Sequence, residues 1–275
     1  MGRLDGKAAI VLGAAGQDNM GQHIARRFRQ EGAQVTIAGR KPEHMEAFAK
    51  EIGAHWTLCD ITKKADVQAM TQFGMDRMGH VDIGVNATGW GYLSPFLDST
   101  EEDIDKIMDL QFKGPFFFFQ AMIEAMSKGH GGSIIQISSA TATIMLNNHA
   151  AYMGTKAGTD HVIRCVANEF GERNIRANSI SPGVTESPMT NIAQRPWAEK
   201  VFADCYPMGR IGTSEDIAAA AVWLSSDECF MTGQNLQVNG GLTLRRNPTA
   251  KEMAAAAQAA MGGQAAPKAP APASA

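Results

Sequence analysis

Short apolar runs alternate with longer amphipathic stretches along most of this chain. The stretches between the runs repeat their apolar residues at helical spacing, for example from Gln22 to Glu31 and from Thr100 to Met126. Wholly apolar strands are typical of a parallel sheet that helices cover on both faces. The first run, residues 7–12, therefore suits a buried strand of such a sheet. The predicted strands cover residues 7–12, 34–38, 55–60, 81–85, 133–137, 175–180 and 235–238.

A glycine-containing loop follows the first predicted strand directly. Residues 13–21 read Gly-Ala-Ala-Gly-Gln-Asp-Asn-Met-Gly, and the first predicted helix comes after them. Glycines let a backbone approach a pyrophosphate, and a helix N-terminus presents free N–H groups and the positive end of a dipole. A strand, a glycine loop and a helix in this order predict the opening of a dinucleotide-binding unit.

The end of the second predicted strand bears on which dinucleotide binds. Gly39, Arg40 and Lys41 stand there. In dinucleotide-binding folds an acidic residue at this point binds the adenine ribose of NAD, whereas a basic residue accommodates the 2′-phosphate of NADP. Because a carboxylate is absent and two cations are present, we predict NADP(H) in preference to NAD(H). The alternative is a solvated turn whose charges flank the helix that begins near Pro42.

Ser139, Tyr152 and Lys156 form a candidate catalytic group. Tyr152 and Lys156 lie four positions apart in a stretch with helical character, so their side chains share one helix face. A nearby ammonium lowers the pKa of a phenol, which makes the phenol a usable proton donor and acceptor near neutral pH. A serine at the end of the preceding strand can hold a substrate oxygen against that phenol. The alternative is an ordinary helix with a solvated lysine.

Together with the motifs around it, this group resembles the centre of the short-chain dehydrogenase/reductase family, and the resemblance covers Leu4 to Leu244. In that family the catalytic serine precedes the tyrosine by thirteen residues, which selects Ser139 over Ser138. The resemblance implies one Rossmann-type, doubly wound α/β domain over residues 1–246 with a mostly parallel seven-stranded sheet. It also implies a small-molecule substrate that is interconverted between a carbonyl and an alcohol.

The resemblance implies a role for each catalytic residue during carbonyl reduction. Tyr152 protonates the developing alkoxide, Lys156 lowers the pKa of Tyr152 and binds the nicotinamide ribose, and Ser139 polarises the carbonyl. Gln111 stands where classical relatives place an asparagine that anchors a proton-relay water. A glutamine can form similar hydrogen bonds. The alternative for this residue is a buried amide that closes a helix irregularity near Gly114.

The same resemblance assigns residues to the cofactor and the substrate. Asp60 can contact the adenine ring or cap the helix that follows it, and the two roles are compatible. The predicted cofactor residues are Gly13, Asn19, Met20, Gly21, Arg40, Lys41, Asp60, Ile61, Asn86, Ala87, Thr88, Tyr152, Lys156, Pro182, Gly183, Thr185 and Ser187. The predicted substrate residues are Trp90, Met145, His149, Met189, Trp197 and Tyr206.

Residues 187–208 match the family's substrate lid. Their irregular sequence is rich in apolar and aromatic side chains, which suits a mobile cover over an apolar substrate. We therefore expect a bulky apolar or aromatic ketone, or a 3-oxoacyl thioester. The alternative is that these side chains pack against a neighbouring subunit. Relatives assemble with closed symmetry, so we expect a homotetramer or a homodimer.

Three other functions stay open. The loop from Gly13 to Gly21 is longer than the usual G-x-x-x-G-x-G spacing and resembles that of the enoyl-thioester reductases, a divergent branch of the superfamily. In that branch the tyrosine precedes the lysine by seven positions, where this chain has His149, so the spacing of Tyr152 and Lys156 argues against it. The others are an NAD-linked alcohol dehydrogenase and a non-catalytic protein of the same fold, which the intact catalytic residues disfavour.

Composition excludes further classes. The formal net charge is −3 without a basic block, so we expect no nucleic-acid partner. No run approaches the roughly 18 apolar residues of a membrane helix, and no secretory signal is recognisable. The four cysteines are scattered without a C-x-x-C pair, which predicts reduced thiols in a cytoplasmic protein without a metal site. The Ala- and Pro-rich segment 247–275 is expected to be a disordered tail, within which residues 253–261 have helix propensity.

Overall fold

Seven parallel strands form the centre of the structure, a computed structural model that describes residues 2–188 and 190–262. The strands are β1 (Ala8–Leu12), β2 (Gln34–Gly39), β3 (His55–Leu58), β4 (Ile83–Asn86), β5 (Gly132–Ile137), β6 (Ile175–Pro182) and β7 (Asn235–Val238). The helices are α1 (Met20–Gln30), α2 (Pro42–Ile52), α3 (Lys64–Met78), α4 (Glu101–Met108), α5 (Gly114–Met126), α6 (Ala150–Phe170), α7 (Pro196–Ala203), α8 (Ser214–Ser225) and α9 (Ala250–Ala260). The order across the sheet is β3-β2-β1-β4-β5-β6-β7, and every adjacent pair is parallel. The predicted Rossmann-type fold is confirmed, with a wholly parallel sheet.

The two faces of the sheet carry separate hydrophobic clusters. Ile10 of β1 belongs to a cluster with Phe118 of α5 and Ile163 of α6. Val11, the next residue, belongs to a second cluster with Phe28 of α1. Successive side chains of a strand point to opposite faces, so a strand covered on both sides needs apolar residues at every position. All five residues of β1 are accordingly buried.

The helix predicted over residues 100–126 is divided in the structure. A π-helical turn over Asp109–Lys113 separates α4 from α5. Pro115, in the first turn of α5, has no N–H to donate to the carbonyl of Gln111 four residues earlier. That carbonyl accepts instead from the Thr159 hydroxyl of α6, at 2.8 Å. The change of pitch therefore has a covalent cause, and it places Gln111 in a type of turn that is frequent at functional sites.

The segment after β7 folds back over the chain. Asn247 is buried, and its side-chain amide donates to the carbonyl of Met145 at 3.0 Å. A capping box starts α9, and Met253 of that helix packs against the lid. The predicted disorder is therefore wrong for residues 247–262, because these polar and apolar contacts hold the segment in place. Residues 263–275, also expected to be disordered, lie outside the described part of the chain.

The strand order reverses between β1 and β4, which lie side by side at the middle of the sheet. At such a point the loops after the two strands diverge and leave a crevice at the carboxyl edge. The loops after β2, β5 and β6 reach the same edge because all strands are parallel. These loops carry most of the predicted site residues. Among the described helices, none is long and apolar enough to cross a membrane.

Candidate active site

The end of β5 and the start of α6 bring the candidate catalytic residues together. Ser139 follows β5 in an extended conformation, and its Oγ accepts a hydrogen bond from the Thr141 N–H at 3.2 Å. Tyr152 and Lys156 lie on the first two turns of α6. The Lys156 ammonium is 5.6 Å from the centre of the Tyr152 ring. A hydroxyl, a phenol and an ammonium thus converge at the carboxyl edge of the sheet.

Lys156 is enclosed by the protein. Its ammonium donates to the carbonyl oxygen of Ile137, the last residue of β5, at 2.8 Å. Only 3% of the residue is exposed. Burial lowers the pKa of Lys156 to about 8, while the charge of Asp160 acts in the opposite direction. The side chain can therefore exchange a proton much closer to neutral pH than an ordinary lysine can.

The pKa of Tyr152 corrects the expectation of a phenol that its lysine has acidified. Burial raises this pKa, and the Ser139 hydroxyl acts in the opposite direction. The physical reason is that the phenolate loses more by desolvation than it gains from neighbouring groups. In the chain alone, Tyr152 is accordingly a neutral phenol that can donate a proton.

His149 lies flat against Tyr152. The two ring centres are 4.2 Å apart and the planes differ by 21°. His149 Nδ1 is 2.7 Å from the carbonyl oxygen of Tyr92. Burial lowers the pKa of His149 to about 4, while the hydrogen bond to Tyr92 acts in the opposite direction. The imidazole is therefore neutral at physiological pH.

Both polar atoms of the Gln111 side-chain amide form hydrogen bonds within the protein. Its Oε1 accepts from the Trp90 N–H at 2.7 Å, and its Nε2 donates to the Thr155 hydroxyl at 3.0 Å. These bonds tie the loop after β4 to α6. The π-helical turn directs the amide into the protein, and of the two N–H groups on Nε2 one is used by Thr155, so the relay water stays a prediction. The geometry is that of a buried amide at a helix irregularity.

The glycine loop between β1 and α1 is held tightly against the sheet. Gly13 has a φ of +101°, and a Cβ there would lie 2.6 Å from the carbonyl carbon of Ala87. A Cβ on Gly21 would lie 2.6 Å from the Gly13 carbonyl oxygen. Asn19 caps α1 with its side-chain oxygen and donates from its amide to the Gly13 carbonyl at 2.8 Å. The helix then begins at Met20, where its first N–H groups face the crevice edge.

The loops after β3 and β4 are fixed by their own polar side chains. Asn86 is buried, donates to a glutamine of β5 at 2.9 Å, and accepts from the N–H and hydroxyl of Thr88. Asp60 accepts from the N–H and hydroxyl of Thr62 at 3.0 and 2.8 Å. Asp60 therefore shapes the turn before α3 and does not occupy the N-cap of that helix. Ile61, between these two residues, is buried.

The end of β2 leaves no room for a side chain where the sequence has glycine. A Cβ on Gly39 would lie 2.5 Å from the Cβ of Ala15 in the glycine loop. Arg40 and Lys41, which follow, are both exposed. Two exposed cations therefore follow directly after β2, and a carboxylate at position 39 would force the glycine loop to move.

Beyond β6, the chain is supported by a tyrosine of the lid. Pro182 ends β6, and a Cβ on Gly183 would lie 2.2 Å from the Tyr206 hydroxyl oxygen. Thr185 is buried, and its hydroxyl donates to the Gly183 carbonyl at 3.1 Å. The Ser187 hydroxyl opens the next turn. Close packing against Tyr206 thus explains why position 183 is glycine.

The aromatic side chains of the lid pack among themselves. Tyr206 is 2% exposed, and its hydroxyl donates to the Val184 carbonyl at 3.3 Å. Trp197 packs against the same buried cluster. Tyr206 therefore supports the lid from within and does not line a substrate space, contrary to expectation. Met145 is 72% exposed, and Met189 lies outside the described residues.

Comparison with known proteins assigns the family. A family model described as enoyl-(acyl carrier protein) reductase matches residues 13–243. D-threitol dehydrogenase of Mycolicibacterium smegmatis is 34% identical over 88% of this chain and 95% of its own length. A short-chain type dehydrogenase/reductase from Mycobacterium ulcerans has a TM-score of 0.86 and 28% identity, covering 91% of this chain and 94% of its own. The chain belongs to the short-chain dehydrogenase/reductase family.

Membership of the short-chain dehydrogenases/reductases defines the reaction class. A further relative, the 7α-hydroxysteroid dehydrogenase of Escherichia coli strain K12, is 34% identical over 87% of this chain and 95% of its own length. The chain is an oxidoreductase that interconverts carbonyl and alcohol groups with a nicotinamide cofactor. The tight glycine loop and the start of α1 fit the cofactor's phosphates. In the described ranges, no group of three His, Cys, Asp or Glu side chains could hold a metal ion.

Sequence reasoning missed one charged residue of this dehydrogenase/reductase site. Asp160 lies one turn after Lys156 on α6 and accepts from the Ser138 hydroxyl at 2.8 Å and from the Asn235 amide of β7. Burial raises the pKa of Asp160, whereas the charge of Lys156 is among the influences that lower it. The available signal was the i, i+4 spacing to Lys156, which predicts a neighbour of opposite charge on the same helix face.

Replacing Asp160 by asparagine should lower the pKa of Lys156 further below about 8, because an ionised carboxylate favours the ammonium. The alkaline limb of the pH profile of kcat/KM should then move to lower pH. Steady-state rates across the alkaline range check this shift. Glu169→Gln, an exposed carboxylate on the same helix, is the matched control and should leave the limb in place. An unmoved limb in Asp160→Asn would show that the carboxylate does not tune the lysine.

Proposed function

We propose that this short-chain dehydrogenase/reductase is an NADP(H)-dependent ketoreductase. The observation that carries the cofactor preference is the corner after β2. There Arg40 and Lys41 are exposed, and packing against Ala15 excludes a side chain at position 39. NAD-binding members of such folds place a carboxylate at this point, which would repel the 2′-phosphate of NADP. Two cations and an excluded carboxylate favour the phosphorylated cofactor.

The proposed mechanism assigns one task to each catalytic side chain. The cofactor supplies the hydride, and the protein supplies position and electrostatics. The Ser139 hydroxyl donates to the substrate carbonyl oxygen and fixes its angle. Tyr152, a neutral phenol, gives its proton to the oxygen as negative charge develops there. The Lys156 ammonium stabilises the resulting phenolate and binds the nicotinamide ribose.

The protonation states of Lys156 and Tyr152 bear on the direction of the reaction. Because burial raises its pKa, Tyr152 is protonated at neutral pH and so is present in the form that can give a proton, although it is a weaker acid than an ordinary phenol. Cofactor and substrate bring further dipoles into the crevice, and Lys156 is the nearest cation on the same helix face. Reduction of a ketone needs a protonated donor, and Tyr152 already holds its proton before cofactor and substrate bind.

A second candidate is an enoyl-thioester reductase. The extended glycine loop and the name of the matching family model favour it. Against it, the position seven residues before Lys156 holds His149, whose Nδ1 is already bound to the Tyr92 carbonyl. The bulky apolar ketone that the lid composition predicts is no longer supported by Tyr206, since that side chain is buried in the lid. A homotetramer or homodimer stays a prediction.

The proposal is tested by fluorescence titration with NADPH and NADH in parallel, followed by a panel of ketones and enoyl thioesters. We expect tighter NADPH binding and cofactor oxidation with ketones. Tighter NADH binding would overturn the cofactor preference, and turnover of enoyl thioesters alone would favour the second candidate. Binding of neither cofactor would contradict the proposed function as a whole.

Replacing Arg40 by alanine should weaken NADPH binding by about 10- to 100-fold, the usual worth of a charged hydrogen bond to an anion. NADH binding should change much less, because its ribose carries no phosphate. The ratio of the two dissociation constants is the measurement. Arg77→Ala, at the far end of α3, is the matched control. An equal loss for both cofactors would show that Arg40 does not read the phosphate.

A further inference from the structure

The hydrogen bond made by one ring nitrogen of His149 determines the hydrogen-bonding role of the other ring nitrogen. Nδ1 is 2.7 Å from the Tyr92 carbonyl oxygen, which can only accept a hydrogen bond. Nδ1 must therefore carry the proton, and in a neutral imidazole Nε2 is then an acceptor. The depressed pKa of about 4 keeps the ring neutral over the physiological range.

Nε2 has no hydrogen-bond partner among the described residues. The residue as a whole is 8% exposed. In the described ranges, some polar side-chain atoms are fully enclosed and have no hydrogen-bond partner. They belong to Trp90, Asp160, Ser179, Ser214 and Ser225. His149 Nε2 is not one of them, so it retains access to a small ligand. An acceptor nitrogen in a largely buried side chain costs free energy when no group donates a hydrogen bond to it, and a bound molecule that donates one removes this cost.

The position of this acceptor relates it to the reacting group. The His149 ring is stacked on the ring of Tyr152 at 4.2 Å, and the phenol of Tyr152 is the proposed proton donor to the substrate oxygen. A molecule whose carbonyl oxygen meets the phenol therefore has its neighbouring atoms near the imidazole. The other charged or titratable groups packed here are Lys156 on α6, Tyr92, and Asp103, which accepts from the Tyr92 hydroxyl at 3.1 Å.

We propose that His149 Nε2 accepts a hydrogen bond from a second hydroxyl of the substrate, so that the enzyme prefers α-hydroxy ketones and vicinal diols over analogues without that hydroxyl. This inference rests on the proposed function and narrows its substrate class. Only one carbon reacts: the cofactor's hydride and the Tyr152 proton convert its carbonyl to an alcohol, and the second hydroxyl is unchanged. A purely apolar ketone would leave Nε2 without a donor, which reduces its kcat/KM.

The test compares 3-hydroxybutan-2-one with 3-methylbutan-2-one, in which a methyl group replaces the hydroxyl. Rates are measured with saturating NADPH for the wild type, His149→Phe and His149→Gln. The wild type should favour the hydroxy ketone by about 10- to 100-fold in kcat/KM, the range for one hydrogen bond to a buried group. His149→Phe keeps an aromatic ring against Tyr152 but has no acceptor, so the preference should vanish. His149→Gln offers an amide oxygen and should restore part of it.

Each contrary result has a separate meaning. If His149 only positions Tyr152, His149→Phe would lower both rates equally and leave their ratio unchanged, which would overturn the inference. A wild-type ratio near one would overturn it as well, while turnover of both ketones would leave the proposed function intact. A ratio that changes between about pH 6 and pH 9 would contradict a neutral acceptor at His149. Absence of turnover with every ketone of the panel would instead reject the proposed function itself.

Discussion

Tyr152→Phe is expected to lower kcat/KM for ketone reduction by about 10²- to 10⁴-fold, the usual contribution of a positioned general acid. The substitution removes one hydroxyl and keeps the ring that stacks on His149, so the local packing is retained. The phenol is half-buried and neutral in the chain alone, and it is the proposed proton donor at the end of the crevice. NADPH affinity should change by less than about threefold, since Lys156 and the glycine loop are untouched.

Stopped-flow and steady-state rates of NADPH oxidation provide the measurement, with fluorescence titration for the affinity. Tyr206→Phe is the matched control, because it removes the hydroxyl of a buried tyrosine that donates to the Val184 carbonyl within the lid. Its turnover should stay far above that of Tyr152→Phe. Retention of wild-type turnover in Tyr152→Phe would reject Tyr152 as the proton donor and, with it, the proposed mechanism.

Hydrophobic patterning located the strands, and the family resemblance implied how they are arranged. Strand β7 has its predicted bounds, and the bounds of the other strands differ by a few residues at most. Wholly apolar runs such as β1 leave little freedom, since only a sheet covered on both faces buries every side chain. The motifs also placed Ser139, Tyr152 and Lys156 near one another, because strand ends and helix starts meet at the same edge of a parallel sheet.

Long-range packing determines the features of the site that could not be predicted from the sequence. The pKa of Tyr152 depends on how far the surrounding chain excludes water, which no local spacing reveals. The engagement of Gln111 follows from a π-helical turn whose cause, Pro115, lies four residues further on. Likewise α9 has ordinary helix propensity, but its place depends on the distant contact between Asn247 and Met145.

The lid shows likewise that composition alone does not predict the substrate. An aromatic-rich segment can line a cavity or build its own core, and composition does not separate the two. Tyr206 belongs to the core because Gly183 leaves space for its hydroxyl. The argument about the substrate therefore rests on His149, which the family resemblance already placed among the predicted substrate residues, and no longer on the lid.

Lys156→Met should lower kcat/KM by about 10²- to 10³-fold, the usual loss on removing one preorganised donor from a developing negative charge. Methionine has a similar length, so the main change is the loss of the ammonium that donates to the Ile137 carbonyl and lies 5.6 Å from the Tyr152 ring. NADPH affinity should fall too, because the proposed contact to the nicotinamide ribose is lost. Joint loss of turnover and affinity distinguishes this variant from Tyr152→Phe, and retained affinity would remove Lys156 from the cofactor site.

The same substitution gives a stability test with a definite sign. Burial lowers the pKa of Lys156 from 10.5 to about 8, so between these values the unfolded chain binds more protons at this group than the folded chain. The folded state therefore gains stability from this group as pH rises through that range, by about 3 kcal/mol in total. Lys156→Met lacks this gain. Denaturant unfolding at pH 8 and near pH 10.5 should show the wild type improving relative to the variant, and a constant difference would mean that Lys156 is not desolvated.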